Sequence, residues 1–509
     1  MKLQSNPCHF FAILLLSMSV STLSPHSQAQ AQAQVNKGDL ASAGLVVHWE
    51  SNIGGAPLAN GSQSFVLWSH TTEKREYVTV RSGGRLIERI RGEEVDLKKL
   101  EEAVIQGVKL LKSPRLGLEG AKLKAEKLVA TYKTLGRKVE VEPYSQQLIY
   151  AVSLTSNGIV STMDAETGAV IWKTEAGKST LAMFGPGVSD DYVAVTNGNT
   201  LYVYELVTGN IVTTRKLMFT PTASPIVLLG KAIVPSVDGR LVAYDIKKEV
   251  IPPAILRTGT ENRLGVTISA DHQYLSWPTG NRLVMARMER SPILWAAANV
   301  GEPILSLPIA TQNGFLASSI YGTVFHASTN RDEPLFWKSR LAVQVSQSPL
   351  ANKEMAFLVS DEGMLFALNL SDGSDAWGHQ HPNVRHMIAV GKQNIYVMDS
   401  RKALVAIDLA KGFESGRTNL ILPDIIPNAI NDRLLFVTKH GQVTCLREID
   451  ANAPTFTTVF TGEISAAPIQ TTKPEPTPTN PIEEDTNVFD GAGEPIGDSP
   501  NPFGGTDPF

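Results

Sequence analysis

The chain has 509 residues, of which 42% are hydrophobic and 19% are charged, and its formal net charge is −4. This length can hold more than one domain, and the composition is that of a globular protein. The small negative charge argues against nucleic acid or an anionic membrane surface as a partner.

The first 33 residues read as a secretory signal peptide. Lys2 is followed by the apolar run FFAILLLSMSV (10–20), which is short for a membrane span, and by the small-residue stretch SQAQAQAQ (27–34). An uncleaved membrane anchor is the alternative. Cys8 precedes the apolar run, so cleavage leaves Cys445 alone and no internal disulfide. The sequence therefore predicts an exported chain with no transmembrane segment after cleavage.

Residues 34–142 are predicted to form a small α+β domain. The runs LVVHWES (45–51), SFVLWSH (64–70) and EYVTVRSGGRLIERI (76–90) have strand character, and the last of them reads as a hairpin. Two amphipathic helical stripes follow, separated by Pro114. We expect these helices to pack inside the protein, with a partner-binding helix pair as the alternative.

A repeat dominates the rest of the chain. In its first copy, GIVSTMDAETGAVIW, Asp164 lies six residues after the starting glycine, Gly168 ten and Trp172 fourteen. Eight copies fit this frame, and they begin at Gly158, Asn199, Gly239, Asn281, Gly322, Gly363, Lys402 and Gly441. A sustained period of about 40 residues, built from strand patterns, predicts an all-β eight-bladed β-propeller over residues 143–470, with four antiparallel strands in each blade. The run TGEISAAPIQ (461–470) is expected to close the ring.

The repeat positions have structural roles in this interpretation. The Asp164 carboxylate accepts hydrogen bonds from its own turn, Gly168 adopts a positive φ, and Trp172 buries its ring between neighbouring blades. The positions given such roles are Asp164, Gly168, Trp172, Gly209, Asp245, Trp295, Trp337, Gly373, Trp377 and Asp408. No catalytic or cofactor-binding residue is predicted.

These copies resemble the pyrroloquinoline-quinone-like (PQQ-like) repeat. Two kinds of protein share it: the quinoprotein alcohol dehydrogenases, and non-enzymatic propellers such as the lipoprotein of the outer-membrane β-barrel assembly machinery. The dehydrogenases hold their quinone over a tryptophan floor with calcium, and many cap it with a disulfide between adjacent cysteines. This chain has neither a Cys-Cys pair nor a C-x-x-C-H haem motif. The non-enzymatic type is the better match, although its lipid-modified cysteine is missing here.

The resemblance implies an exported, non-catalytic propeller that serves as a protein-binding scaffold or adaptor in the periplasm or cell envelope. Its partners would be envelope or outer-membrane proteins, and it would need no cofactor. The alternative is a quinoprotein-type dehydrogenase using PQQ with calcium, or another propeller enzyme acting on a small molecule or glycan. A cluster of calcium-type ligands at the axis of the ring would favour the alternative.

Three histidines in the stretch WGHQHPNVRH form a weak candidate metal site. His379 and His381 would share one face of a strand and suit zinc or copper, and His386 could supply a third ligand. Pro382 bends the path between them. A solvent-facing polar loop is the alternative interpretation.

Residues 471–509 differ sharply from the rest of the chain. They are rich in Pro, Gly, Thr and acidic residues and carry too little apolar surface to offset the entropy of ordering, so we expect a disordered tail. Phe489, Phe503 and Phe509 recur within it as short aromatic motifs. These phenylalanines are either docking motifs for a partner or neutral features of an unconstrained tail.

Overall fold

The computed structural model describes residues 37–58, 64–106, 114–289, 291–418, 423–451 and 453–457. These residues form many antiparallel β-strands and few helices. The predicted signal peptide, the closing run 461–470 and the acidic tail all lie outside the described residues. Among the described helices, none is both long and apolar enough to cross a membrane.

The first part of the chain alternates strands with three helices. Its elements are α1 (Lys37–Ser42), β1 (Leu45–Asn52), β2 (Phe65–Ser82), β3 (Arg85–Arg91), α2 (Leu97–Ile105), α3 (Gly117–Thr134) and β4 (Glu140–Leu154). The predicted hairpin is the connection between β2 and β3. Gly83 and Gly84 form its turn with φ values of 58° and 78°, which glycine adopts at little cost because it has no Cβ.

The strands that follow form sheets of consecutive strands. They begin with β5 (Ile159–Asp164), β6 (Val170–Glu175), β7 (Met183–Val188), β8 (Tyr192–Asn197), β9 (Thr200–Glu205), β10 (Ile211–Lys216), β11 (Ile226–Leu228), β12 (Lys231–Ser236), β13 (Arg240–Asp245), β14 (Ala254–Arg257), β15 (Thr267–Ile268), β16 (Tyr274–Thr279), β17 (Arg282–Met288) and β18 (Pro292–Asn299). They continue with β19 (Ile309–Ala310), β20 (Gly314–Ser318), β21 (Thr323–Ser328), β22 (Leu335–Arg340), β23 (Leu350–Ala351), β24 (Met355–Val359), β25 (Leu365–Asn369), β26 (Val384–Val390), β27 (Asn394–Asp399), β28 (Leu404–Asp408), β29 (Glu414–Arg417), β30 (Asp424–Ile426), β31 (Leu434–Val437) and β32 (Gln442–Glu448).

We number the sheets of the described strands 1 to 8 in chain order. Sheet 1 has the strand order β3-β2-β4-β5-β6, and sheets 2 to 5 contain β7–β10, β11–β14, β15–β18 and β19–β22. Sheet 6 contains β23–β25, sheet 7 contains β26–β29, and sheet 8 has the order β1-β32-β31-β30. The outer strands, which end each sheet and are the most exposed, are β6, β10, β14, β18, β22, β29 and β1.

The sheets pack face to face in sequence. Every residue of the central strands β8 and β21 is buried, because apolar side chains cover both faces of such a strand. Each hydrophobic cluster between sheets combines side chains from two sheets. The cluster that joins sheet 8 to sheet 1 places Trp49 and Cys445 against Leu67 and Met163. The fold is therefore an all-β propeller, as the sequence predicts.

The N-terminal strand β1 belongs to this ring. It pairs with β32 from the C-terminal part of the chain, with Leu45 opposite Glu448, Trp49 opposite Cys445 and Asn52 opposite Gln442. Residues 34–142, which the sequence assigns to a separate domain, thus supply strands to sheets 1 and 8, and the predicted boundary at 142/143 falls within β4. The reason is that sheet 8 takes its strands from both ends of the chain. A single strand far from its partners carries no repeat pattern.

The outer half of β2 and the first half of β4 extend beyond the ring. Lys74 to Arg81 pair with Gln147 to Glu140, after a register shift that follows Ser69. Helix α3 covers this pair and β3, and its Ala121 and Ala125 are completely buried against them. We call residues 74–106 and 114–147 the extension.

Two sheets depart from the predicted four strands. Sheet 1 has five strands because β3 pairs with β2 in the extension. Sheet 6 has three strands. In sheet 6 the segment after β25 forms no regular strand and makes isolated bridges with β25, Leu368 with Asp375 and Leu365 with His381. Pro382 follows this segment, and a residue without an N–H cannot continue a ladder of strand hydrogen bonds.

The buried Cys445 thiol reports on the pairing between β1 and β32. Trp49→Ala removes a large buried ring opposite Cys445 and should lower the free energy of unfolding by about 3–5 kcal/mol. We expect Cys445 of this variant to react much faster with a thiol reagent in mild urea than Cys445 of the parent, both in a Cys8→Ser background. Equal labelling rates would show that β1 does not hold sheet 8 closed.

Candidate functional site

Strand β1, sheet 8 and the extension meet at the turn between β5 and β6. The Asp164 carboxylate accepts hydrogen bonds from the backbone N–H groups of Glu166 (2.9 Å) and Thr167 (3.2 Å). Gly168 has a φ of 70°. Trp49 lies on this turn, and its indole Nε1 donates to the Ala165 carbonyl at 2.8 Å. A Cβ on Gly168 would lie 2.6 Å from the indole, so only glycine fits.

The same contact recurs around the ring. The indole of Trp172 donates to Leu206 O, that of Trp337 to Leu370 O and that of Trp377 to Leu409 O, at 2.7–2.8 Å. The glycines beneath these three rings are Gly209, Gly373 and Gly412. Each tryptophan thus fixes the outer segment of its own sheet to the turn of the following sheet.

Two of the other predicted positions also lie in these turns. Asp408 accepts hydrogen bonds from the N–H groups of Ala410 and Lys411. Asp245 accepts one from the N–H of Lys248 at 2.8 Å and pairs with Lys231. The burial and hydrogen bonds of both side chains are those of turn-forming groups.

Trp295 departs from this pattern. Its indole donates to Thr329 O at 2.9 Å, but the turn of sheet 5 reads STNRDEP and contains no glycine. Among the described glycines, none lies against the Trp295 ring. Trp295 instead borders an open cavity.

Replacing Gly168 tests the contact with Trp49. Gly168→Ala should destabilise the protein by about 1–3 kcal/mol more than Gly83→Ala, because the new methyl group overlaps the indole. Gly83 is the matched control, since its φ is also positive (58°) but no atom lies within 4 Å of the added Cβ. Urea unfolding of both variants measures the difference, and equal losses would exclude a role for the indole contact.

Charged side chains are concentrated beside the same turn. We call His48, Arg89, Glu166, Asp432 and Arg433 the seam cluster. Glu166 accepts a hydrogen bond from Arg89 at 2.7 Å, and its carboxylate lies 3.7 Å from Arg433 and 3.5 Å from His48. Arg433 also contacts Asp432 at 3.2 Å, and both side chains are almost fully buried. The cluster joins β1, the extension, sheet 1 and the turn before β31.

A second ion pair holds the extension to the turn. Arg75 of β2 contacts Asp164 through both terminal nitrogens and contacts Glu93 at 3.0 Å. Burial opposes the charge of Arg75, but the hydrogen bond and the negative charge of Asp164 outweigh burial and raise its pKa. A bidentate pair of this kind fixes orientation as well as distance.

Burial and neighbouring charges set the ionisation of the cluster's carboxylates. Burial would raise the pKa of Glu166, but His48, Arg433 and Arg89 outweigh it and lower that pKa to about 2. Burial raises the pKa of Asp432, only partly opposed by Arg433. Glu166 is therefore charged across the physiological range and acts as the counter-ion for the surrounding cations.

The lowered pKa of Glu166 predicts a specific loss of stability in acid. Its contribution is complete above the ordinary value of 4.5 and disappears as the pH falls towards 2. Glu166→Gln leaves buried cations without a counter-charge and should cost about 3–5 kcal/mol at pH 7. The difference from the parent should shrink between pH 4.5 and 2.

Urea unfolding at a series of pH values measures this difference. The matched control is Glu119→Gln, because the Glu119 carboxylate pairs with Lys122 in solvent and such a pair contributes about 0–1 kcal/mol. A Glu166→Gln penalty that stays constant down to pH 2 would contradict the assignment.

A cavity of about 730 Å³ adjoins the seam cluster and shares Arg89 with it. The cations Arg81 and Lys392 and the acids Glu142, Glu448 and Asp450 also line it. The two signs of charge are nearly balanced, so the lining does not select a strongly charged ligand. Its mixture of donors and acceptors suits a polar chain such as a peptide backbone.

The three candidate histidines have different surroundings. His379 stacks on Phe413 at 4.5 Å between ring centres, and His386 lies on β26 beside Gln347. His381 is held in the irregular segment of sheet 6 by backbone bonds with Leu365. Within the described ranges, no three His, Cys, Asp or Glu side chains form a group that could hold a metal ion.

A quinone of the dehydrogenase type would need a tryptophan as its floor. Trp172, Trp337 and Trp377 lie on turn glycines, so none of them is placed as the floor of a cofactor site. The only described thiol, Cys445, is fully buried, and burial raises its pKa.

Sequence reasoning missed the residues that close the ring. Trp49 was read as part of a separate domain, although the copy beginning at Gly441 lacks a tryptophan after its turn. The copies beginning at Asn199, Gly239 and Lys402 lack it as well, so its absence did not point to a distant strand. Arg89, Glu166 and Arg433 gave no signal either, because a buried ion pair between distant segments leaves no local pattern.

The repeat matches a known family. A protein-family model described as "Outer membrane protein assembly factor BamB" matches residues 156–250 and 282–425, just under half of the chain. These segments match a PQQ-like propeller of the BamB type. The resemblance inferred from the repeat is thereby confirmed.

Two solved structures are among those similar to this chain. BamB from Moraxella catarrhalis is 17% identical, with 58% of this chain and 91% of that chain covered and a TM-score of 0.48. The computationally designed Ika8 protein is 14% identical, with 58% and 92% covered and a TM-score of 0.40. No curated protein matches the chain.

Proposed function

We propose that this chain is an exported, eight-bladed propeller that acts without catalysis as a protein-binding scaffold in the assembly of outer-membrane proteins. The observation that carries the proposal is the BamB-type repeat, whose family description names an outer-membrane assembly factor. The N-terminal signal-like sequence supports export to the periplasm or cell envelope.

The packing of the sheets supports a ring of eight blades. The described strands form eight sheets, and the buried clusters connect each sheet to the next. The cluster of Trp49, Leu67, Met163 and Cys445 connects the last sheet to the first. A closed ring removes the free faces that an open stack would expose.

The hydrogen bonds and ion pairs of the partly buried carboxylates support a non-catalytic role. Asp164 and Glu166 are held by arginines, and Asp190 accepts hydrogen bonds from Trp68 Nε1 and from the backbone N–H and hydroxyl of Thr71. A general acid or base needs a perturbed group that is free to reach a substrate. These carboxylates instead connect segments of the protein.

The outer strands offer the surface for a partner. Each outer strand has one edge with which no other described strand pairs. The outer strands of sheets 1 to 5 carry exposed apolar side chains near their beginnings. We call these the rim residues: Val170, Ile171, Ile211, Ile255, Ile293, Leu294 and Phe336. An extended segment of a partner can add to such an edge through main-chain hydrogen bonds, with the rim residues supplying apolar contacts.

A pull-down from the envelope fraction tests the scaffold. The double variant Ile211→Asp/Leu294→Asp should lose at least tenfold in retained outer-membrane protein, because charges at these positions oppose apolar docking. The matched control is Val237→Asp, which changes an equally exposed apolar residue in the turn between β12 and β13. Equal loss in both variants, or no loss in either, would contradict docking at the rim.

Truncation at Gln470 in the same assay separates the ring from the tail. Retention of the partner by the shortened chain supports recognition by the propeller. Loss of the partner moves recognition to the segment with Phe489, Phe503 and Phe509.

We propose that no cofactor is needed, so titration with PQQ and calcium should leave the absorption spectrum of the quinone unchanged. Saturable binding would favour the quinoprotein alternative.

A further inference from the structure

A cavity of about 950 Å³ lies between sheets 4 and 5, away from the seam cluster. Tyr274, Trp295 and Phe336 supply its aromatic lining. The turn that follows β21 and the turns before β16 and β20 form the rest of it. This is the interface at which the outer-strand tryptophan has no glycine beneath it.

Two arginine side chains lie over the face of the Trp295 ring, where the other interfaces have a glycine. The guanidinium of Arg287, on the neighbouring strand β17, lies 5.2 Å from the ring centre, and that of Arg331 lies 5.9 Å from it. Arg331 lines the cavity, whereas Arg287 does not. The indole therefore already makes cation–π contacts, because the negative face of an aromatic ring attracts a guanidinium within about 6 Å.

The charges of the cavity favour a cation. Asp271, Asp332 and Glu333 line it together with a single cation, Arg331. All four are exposed, so their field acts at the mouth of the cavity. Acidic groups around an aromatic ring make a site for a positively charged group with an apolar stem.

We propose that the cavity between sheets 4 and 5 binds an arginine or lysine side chain of a partner peptide on the Trp295 ring, in the place that Arg331 occupies in the free protein. Arg331 is exposed and lies in a turn, so moving it off the ring costs little. An exposed contact of this kind changes an equilibrium by about two- to fivefold. Asp332 and Glu333 then pair with the incoming cation. This site shares Phe336 with the proposed rim, and the variants that test it leave Phe336 unchanged.

Fluorine NMR of the full chain labelled with 5-fluorotryptophan tests the proposal. The Trp295 resonance is assigned from its absence in Trp295→Phe. Titration with the peptide acetyl-Gly-Arg-Gly-amide should shift this resonance in a saturable, salt-sensitive way. The isosteric citrulline peptide, which lacks the charge, should bind at least tenfold more weakly.

Variants of the cavity distinguish the proposed site from a non-specific acidic surface. Arg331→Gln should tighten binding of the arginine peptide about two- to fivefold, because it removes the competing cation. Asp332→Asn/Glu333→Gln should weaken binding, and Arg340→Gln, an exposed arginine of the same sheet outside the cavity lining, should leave it unchanged. Equal binding of the citrulline peptide would overturn the proposal, and so would an Arg331→Gln variant that does not bind the arginine peptide more tightly. Chitotetraose tests a neutral glycan as the alternative occupant, and a shift of the Trp295 resonance by this sugar alone would also overturn the proposal.

Discussion

The contact of a tryptophan with the turn of the following sheet fixes the ring at the interfaces where it occurs, including the one between sheet 8 and sheet 1. In each of five described interfaces the indole N–H donates to a turn carbonyl, and in four of them a glycine lies beneath the ring. Packing between sheets is non-directional, but this contact fixes the distance and angle of one sheet relative to the next. Trp49 makes it between sheet 8 and sheet 1, and so closes the ring through a strand from the other end of the chain.

The charged groups around the first turn have a different role. Arg75 and Arg89 reach the turn from the extension, while Arg433 reaches it from sheet 8. Removing such charges from water offsets much of the attraction between them, so the pairs add little net stability. They fix geometry instead, because an arginine left without its carboxylate is costly in the interior. The extension is thereby held in one orientation against the ring.

The repeat made much of the fold predictable. The spacing of the copies predicts the middle strands and their turns. The amphipathic stripe after Pro114 predicts α3, whose Ala121 and Ala125 face the core. The missing outer strand of sheet 6 and the five strands of sheet 1 were not predictable. In both, long-range pairing or the lack of it decides whether a segment becomes a strand. The departure at Trp295 was visible as a turn without glycine, but its consequence, an open cavity, was not.

By itself the sequence determined the repeat, the residue types at each turn and the chemistry available at those positions. Local rules suffice there, because a turn with Asp164 and Gly168 forms from its own hydrogen bonds and backbone freedom. Only the tertiary structure decided that β1 completes sheet 8, that Trp49 lies on Gly168, and that Arg89 and Arg433 share Glu166. Those contacts join segments that are at least 77 residues apart. The free energy that selects them comes from burial in the closed ring, which no local pattern records.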